Sequence, residues 1–189
     1  MLKPCGRRDC TRLRRSFTSR VGIRPEDGYN PVVDLEATLR FLKALQDEGV
    51  RYALVGGLAM IVHGRVRATR DVDIFIAVDE TNIELLKTAL RSLFDDPSIE
   101  EITATDLAGD YPVIRYVSPD GSLVVDIIAR LGEAFEYADI ETQDAEMEAA
   151  TVRVATAESL LRMKRDTVRD IDRLDAAWLH SFLHEEESD

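Results

Sequence analysis

The stretch VGGLAMIVHGRVRATRDVDIFI, residues 55–76, constrains the fold of this chain more than any other segment. Two adjacent glycines close one apolar run. Two aspartates, Asp71 and Asp73, then sit one residue apart inside a second apolar run. An unpaired carboxylate in a buried strand is strongly unfavourable. A chain with this pattern must bring a compensating group to the pair, and a metal ion is the leading candidate. Alternate side chains of a strand share a face. Asp71, Asp73 and Phe75 therefore point one way, toward a cleft at the start of the strand. Val72, Ile74 and Ile76 point into the core.

The rest of the chain supplies a scaffold. Asp34 can cap a helix with Leu35, Leu39, Leu42 and Leu45 on one face, stopped near Gly49. RYALV reads as a strand running into the Gly56-Gly57 turn, and LAMIVHG as a short helix ending at Gly64. NIELLKTALRSLF is an amphipathic helix. YPVIRYV and SLVVDIIA flank Pro119-Asp120-Gly121 and read as a β-hairpin. Residues 133–150 are acidic and ambiguous, and read as a solvated helix or loop. TVRVA is a short strand, and AESLLRMKRD and IDRLDAAWLHSFLHE are closing helices. The order predicts an α/β (α+β) fold, a mixed sheet backed by helices with a small helical C-terminal part. The expected divisions are a basic tail over 1–30, a core over 31–155 and cleft-completing helices over 156–189.

Asp126, in LVVDII, is a further lone carboxylate in an apolar strand. If that strand neighbours Asp71 and Asp73, three hard oxygen ligands converge, a set that suits Mg²⁺ or Mn²⁺. Two such ions about 3.5–4 Å apart can hold the attacking and the leaving oxygen of a phosphoryl transfer. Gly56 and Gly57 stand where a strand turns into a helix, where small residues and free N–H groups favour an anion. A glycine turn for phosphates beside carboxylates for metals reads as a nucleoside triphosphate site.

Charge is unevenly spread. The chain carries 24 Lys and Arg against 36 Asp and Glu, a net charge of −12, yet residues 1–30 hold eight basic and three acidic residues. That segment lacks apolar periodicity and reads as a disordered tail, a stretch upstream of the true start, or an arm for RNA or an acidic partner. Taken whole, the remaining domain is too acidic for an obvious nucleic-acid binder. Half of its sixteen basic residues nevertheless fall in two segments: Arg65, Arg67 and Arg70, and Arg162, Lys164, Arg165, Arg169 and Arg173. If these face each other, an acidic protein keeps a basic cleft. Cys5 and Cys10 alone are weak evidence for zinc. No apolar run approaches 18 residues, so no membrane span is expected, and a reducing cytoplasm is the default.

The segment GGLAMIVHGRVRATRDVDIFI resembles the signature of DNA polymerase β-type nucleotidyltransferases. It is closest to the nucleotidyltransferase toxins of type IV toxin–antitoxin systems (AbiEii-like and MenT-like). The matching positions are Gly56, Gly57, His63, Gly64, Arg67, Thr69, Asp71 and Asp73. VATAESLLRMKRDTVRDIDRLDAAWL resembles the C-terminal block of the same family and carries Lys164, Asp172 and Asp175. The resemblance covers roughly residues 35–182. It implies that Asp71, Asp73 and Asp126 bind two divalent ions, that Asp126 helps deprotonate an attacking hydroxyl and that Lys164 holds the triphosphate. It further implies nucleotide contacts at Gly56, Gly57, Arg67, Thr69, Arg70, Lys164, Asp172 and Asp175, with Arg65, Arg67 and Arg70 lining the pocket mouth. The implied acceptor is the 3′ end of a tRNA, with arrested translation as the consequence and a cognate antitoxin as a partner. Gly57 departs from the Gly-Ser common in the superfamily, so a hydroxyl contact to phosphate must come from Thr69, or from backbone instead.

Other readings stay open on the residues alone. Asp71 could be a capping aspartate and Asp73 an ion-pair partner of Arg70 or Arg115. His63 reads as structural or capping, Thr69 as a turn residue, phosphate contact or modification site, and Trp178 and Leu179 as core. The Arg162–Arg173 run could be a solvated helix face with Asp166 and Asp170 as partners. The acceptor could be a protein side chain or a small molecule, or the domain could bind a nucleotide or partner without catalysis.

Overall fold

A computed structural model describes residues 33–109, 112–132, 135–148 and 150–186. The expectations for the tail over 1–30 lie outside these residues.

The first helix, α1 (Leu35–Asp47), starts where Asp34 accepts a hydrogen bond from the Ala37 N–H. Its buried stripe is Thr38, Phe41, Leu42 and Leu45. Leu35, expected on that face, is exposed. The stripe is turned toward the third helix and a late strand, against which α1 packs. Burying Phe41, Leu42 and Leu45 contributes about 1.5–3 kcal/mol each.

Strand β1 (Tyr52–Val55) runs into helix α2 (Gly56–Val62), followed by β2 (Val72–Ile76) and helix α3 (Glu80–Arg91). A 3₁₀ turn at Pro97–Glu101 and the short helix α4 (Ala104–Ala108) were not foreseen in the sequence. The hairpin is present as β3 (Val113–Val117) and β4 (Val124–Ile128), paired antiparallel from Val113↔Ile128 to Val117↔Val124. Its turn is held by Asp120, whose carboxylate accepts from the Ser118 and Ser122 hydroxyls and the Ser122 N–H.

The segment read as a solvated acidic helix or loop is strand instead. After a small ribbon, β5 (Arg130–Leu131) and β6 (Phe135–Glu136), strand β7 (Thr142–Met147) pairs antiparallel with β8 (Ala150–Ala155). β7 lies at the sheet edge, where acidic side chains facing water discourage further pairing and hide the usual apolar alternation. The six-stranded sheet has the order β3-β4-β2-β1-β8-β7, with β2–β4 and β1–β8 parallel and the other pairs antiparallel. This is the mixed α/β sheet the sequence predicts.

Helices α5 (Ala157–Lys164) and α6 (Asp170–Glu186) close the chain and pack on each other. Leu160 and Leu179 join the same apolar core as the sheet. No helix among the described residues is long and apolar enough to cross a membrane.

Candidate active site

The parallel pairing of β2 with β4 sets Asp73 beside Asp126, and the hairpin sets Arg115 beside Asp126. Asp73, Asp126 and Arg115 thus form one row across three adjacent strands, with Asp71 two residues before Asp73 on the same face. The expected cleft face does not extend to Phe75, which is fully buried. The row is bound by charge. Arg115 donates from Nε to Asp126 Oδ1 at 2.7 Å, and from Nη2 to Asp126 Oδ2 at 2.6 Å and Asp71 Oδ2 at 2.9 Å. The bidentate hydrogen bond to Asp126 holds the guanidinium more firmly charged than usual, although burial acts against it.

Asp73 is the most enclosed of the three. Burial pushes its carboxyl up to about 6, and the negative charges of Asp71 and Asp126 push the same way. The Gly57 N–H and the Lys164 charge oppose them. The glycine turn wraps this side chain. Gly56 has φ +62°, and a Cβ there would lie 1.8 Å from Asp73 Oδ2. No side chain but hydrogen fits. The Gly57 N–H, expected to be free for an anion, is directed at Asp73. A Cβ on Gly57 would lie 2.5 Å from Thr69 Oγ1. The Thr69 hydroxyl therefore fills the space that a serine at position 57 would enter. It donates to the Asp71 carbonyl at 3.2 Å.

The second basic segment meets the first, as the charge clustering anticipates, through two buried carboxylates. Asp175, with no exposed surface, pairs with Arg67 at 2.5 Å, Lys164 at 2.9 Å and Arg65 at 3.2 Å. Asp172 pairs with Lys164 at 2.9 Å and Arg169 at 2.6 Å. Arg65 also donates to the Leu174 carbonyl. Four cations thus share two carboxylates and keep a positive excess. Burial would raise the Asp172 carboxyl, but hydrogen bonds from Arg169 and Lys164, with their charges, outweigh it and hold it well below the usual range.

These groups surround a cleft of about 710 Å³. Gly56, Gly57, Arg67, Thr69, Asp71, Asp73, Asp126, Lys164 and Asp172 line it, with Arg115 and Arg169. Arg70 and Asp175, both expected at the nucleotide, are not among its lining residues; Arg70 is exposed and Asp175 reaches the cleft only through Arg67 and Lys164. Val113, Ile128, Leu131, Val168 and Ile171 give the cleft apolar stretches.

Other residues resolve toward structure. His63 ends α2, its Nε2 is 2.8 Å from the Ala155 carbonyl, and its ring meets Phe182 edge-on. Leu179 is core, and Trp178 stacks on Phe182 at 5.1 Å. Arg165 pairs with Asp166 and Arg173 with Asp170 on the surface, so that part of the basic run is a solvated face. The sequence offers Arg115 as a partner for Asp73; it pairs with Asp71 and Asp126 instead. A signal was available, since a hairpin turn centred between Asp120 and Gly121 puts positions 115 and 126 opposite each other.

The donor set suits a hard divalent cation in kind: three carboxylates on one face, one raised by burial and by its neighbours, two already joined by a cation. Among the described residues no group of three His, Cys, Asp or Glu side chains is arranged to hold a metal ion as it stands. A guanidinium bridges two of the three.

A family model described as nucleotidyl transferase AbiEii toxin, type IV TA system, matches residues 40–174. A search of curated proteins returns no match. Among solved structures, the lincomycin-bound lincosamide antibiotic adenylyltransferase LnuA is similar in fold, with a TM-score of 0.51 and 15% identity over 81% of this chain and 99% of that one. ANT(2″)-Ia in complex with adenylyl-2″-tobramycin has a TM-score of 0.50 and 15% identity over 80% and 91% of the two chains.

Proposed function

The chain belongs to the AbiEii nucleotidyltransferase toxin family of type IV toxin–antitoxin systems, and on that premise we propose that it transfers a nucleoside monophosphate from an NTP to the 3′ end of a tRNA. As a nucleotidyltransferase of such a system it implies an NTP substrate and an antitoxin. The growth-arresting consequence would be tRNA that no longer supports translation in the cytoplasm.

The observation that carries the reading is the row of Asp71, Asp73 and Asp126, held against a glycine turn in a cleft that Arg67, Lys164 and Arg169 also line. Asp71, Asp73 and Asp126 would hold two divalent ions, Mg²⁺ or Mn²⁺. Bound there, the ions would neutralise the triphosphate and the attacking oxygen. In the reaction the acceptor oxygen bonds to the α-phosphorus, the bond to the β-phosphate oxygen breaks, and pyrophosphate leaves. Asp126 would take the acceptor proton. Lys164 and Arg67 offer positive charge to the triphosphate, and Thr69 offers a hydroxyl in place of a serine at position 57. Asp172 and Asp175 act through the cations they hold.

The test is incubation with Mg²⁺, each α-labelled NTP and total tRNA, beside Asp71→Ala. Label on tRNA that disappears in the variant is the expected result and names the nucleotide. Label only on protein or on an added small molecule would keep the chemistry and overturn the acceptor. No transfer by folded, unmodified protein would overturn the reading.

A further inference from the structure

Arg115 is the one cation that touches the carboxylates of the row among the ion pairs described above. It takes both oxygens of Asp126 and one of Asp71, at 2.6–2.9 Å. Lys164, Arg67 and Arg169 are engaged instead with Asp172 and Asp175.

We propose that Arg115 is a resident counter-ion of the carboxylate row: it holds Asp71 and Asp126 together before a divalent ion arrives, and it must be displaced for that ion to bind. Arg115 is thereby a positioning residue that sets the ion affinity of the site. The inference rests on the metal-dependent reading above.

Several features of the site lead to it. The oxygens that Arg115 occupies are those a divalent ion would need, and two cations brought to the same oxygens repel each other and compete for them. An arginine cannot step aside by losing its proton, because it stays charged at any working pH; it can leave only by moving. It has room to do so. Its backbone is fixed by register opposite Asp126, but its side chain is 55% exposed, so the head group can swing to solvent without disturbing the sheet. One positive charge also leaves a set of three carboxylates under-neutralised, so a dication is the better complement once present. A lysine in its place would be a single-point contact lacking the fork that grips both oxygens of Asp126.

The experiment measures Mn²⁺ binding to the full chain without nucleotide, by electron paramagnetic resonance of free Mn²⁺. Wild type is compared with Arg115→Gln, Arg115→Lys and Arg153→Gln. The last removes an equal charge from a surface pair with Asp144 on β8 and β7. The expected result is Mn²⁺ affinity raised on the order of tenfold in Arg115→Gln, an intermediate rise in Arg115→Lys, and little change in Arg153→Gln. A lower melting temperature of Arg115→Gln without Mn²⁺, restored by saturating Mn²⁺, is expected alongside. Affinity unchanged or weakened in both Arg115 variants, while wild type binds, would overturn the counter-ion role and leave the metal-dependent reading standing. No saturable binding by any folded variant would overturn both. If Arg115→Gln does not fold, the ordering of Arg115→Lys against wild type decides the matter.

Discussion

The hydroxyl of Thr69 lies 2.5 Å from the point where a Cβ on Gly57 would sit. The two positions therefore compete for one volume, and the chain has placed its hydroxyl on the later residue. Gly57→Ser alone should clash with both Thr69 Oγ1 and Thr69 Cβ, the latter 2.8 Å away, and destabilise the protein by about 1–3 kcal/mol. Combining it with Thr69→Gly removes both clashing atoms. The double variant should be more stable than the sum of the two single effects predicts, with a coupling of about 0.5–3 kcal/mol in a double-mutant cycle. Urea unfolding of the four proteins measures it, and strict additivity would show that the two residues do not share the space.

Asp175 has no exposed surface and pairs with three cations. Asp175→Ala should leave Arg65, Arg67 and Lys164 without their shared counter-charge and cost about 3–5 kcal/mol. Arg67 and Lys164 line the cleft, so the variant should also bind NTP more weakly. Equilibrium denaturation and nucleotide titration report these separately; an unchanged denaturation midpoint would contradict the geometry.

Asp172 sets an acid limit. Its carboxyl is held below the ordinary 3.8 because hydrogen bonds and charge from Arg169 and Lys164 outweigh the opposing effect of burial. A depressed carboxylate contributes stability that is complete above its unfolded value and lost as pH falls through the folded one. Wild type should therefore lose part of its stability as pH drops below 3.8. Asp172→Asn should be less stable at neutral pH and show a flatter acid limb. Denaturation midpoints measured across that range check it, and parallel limbs for both proteins would refute it.

Much of this was legible in the chain. Asp71, Asp73 and Asp126 are conspicuous because carboxylates are rare in apolar strands, and the Asp120-Gly121 turn locates the hairpin. The convergence of Asp73 with Asp126 was only conditional in the sequence, since nothing local states that β2 and β4 pair in parallel across some fifty residues. The acidic edge strand β7 was hidden because at an open edge only Ala145 and Met147 pack against the core, too short an alternation among acidic residues to read as a strand. Leu35 was misplaced because a helix pattern does not tell which side its neighbours will cover. Asp172 and Asp175 come from the resemblance alone, whereas Lys164 also stands out in the second basic segment. Only their packing reveals that Asp175 is enclosed, and that the apparent basic cluster is a network of four cations sharing two acids.

The walls of the cleft are drawn from residues 55 to 172, with Asp175 behind them. During synthesis, the glycine turn and the first two aspartates emerge long before Lys164 and its acidic partners. A ribosome-bound chain lacking those later residues holds an unfinished cleft. For a nucleotidyltransferase this imposes an order: the cleft is complete only once the chain has been made through Asp172 and Asp175.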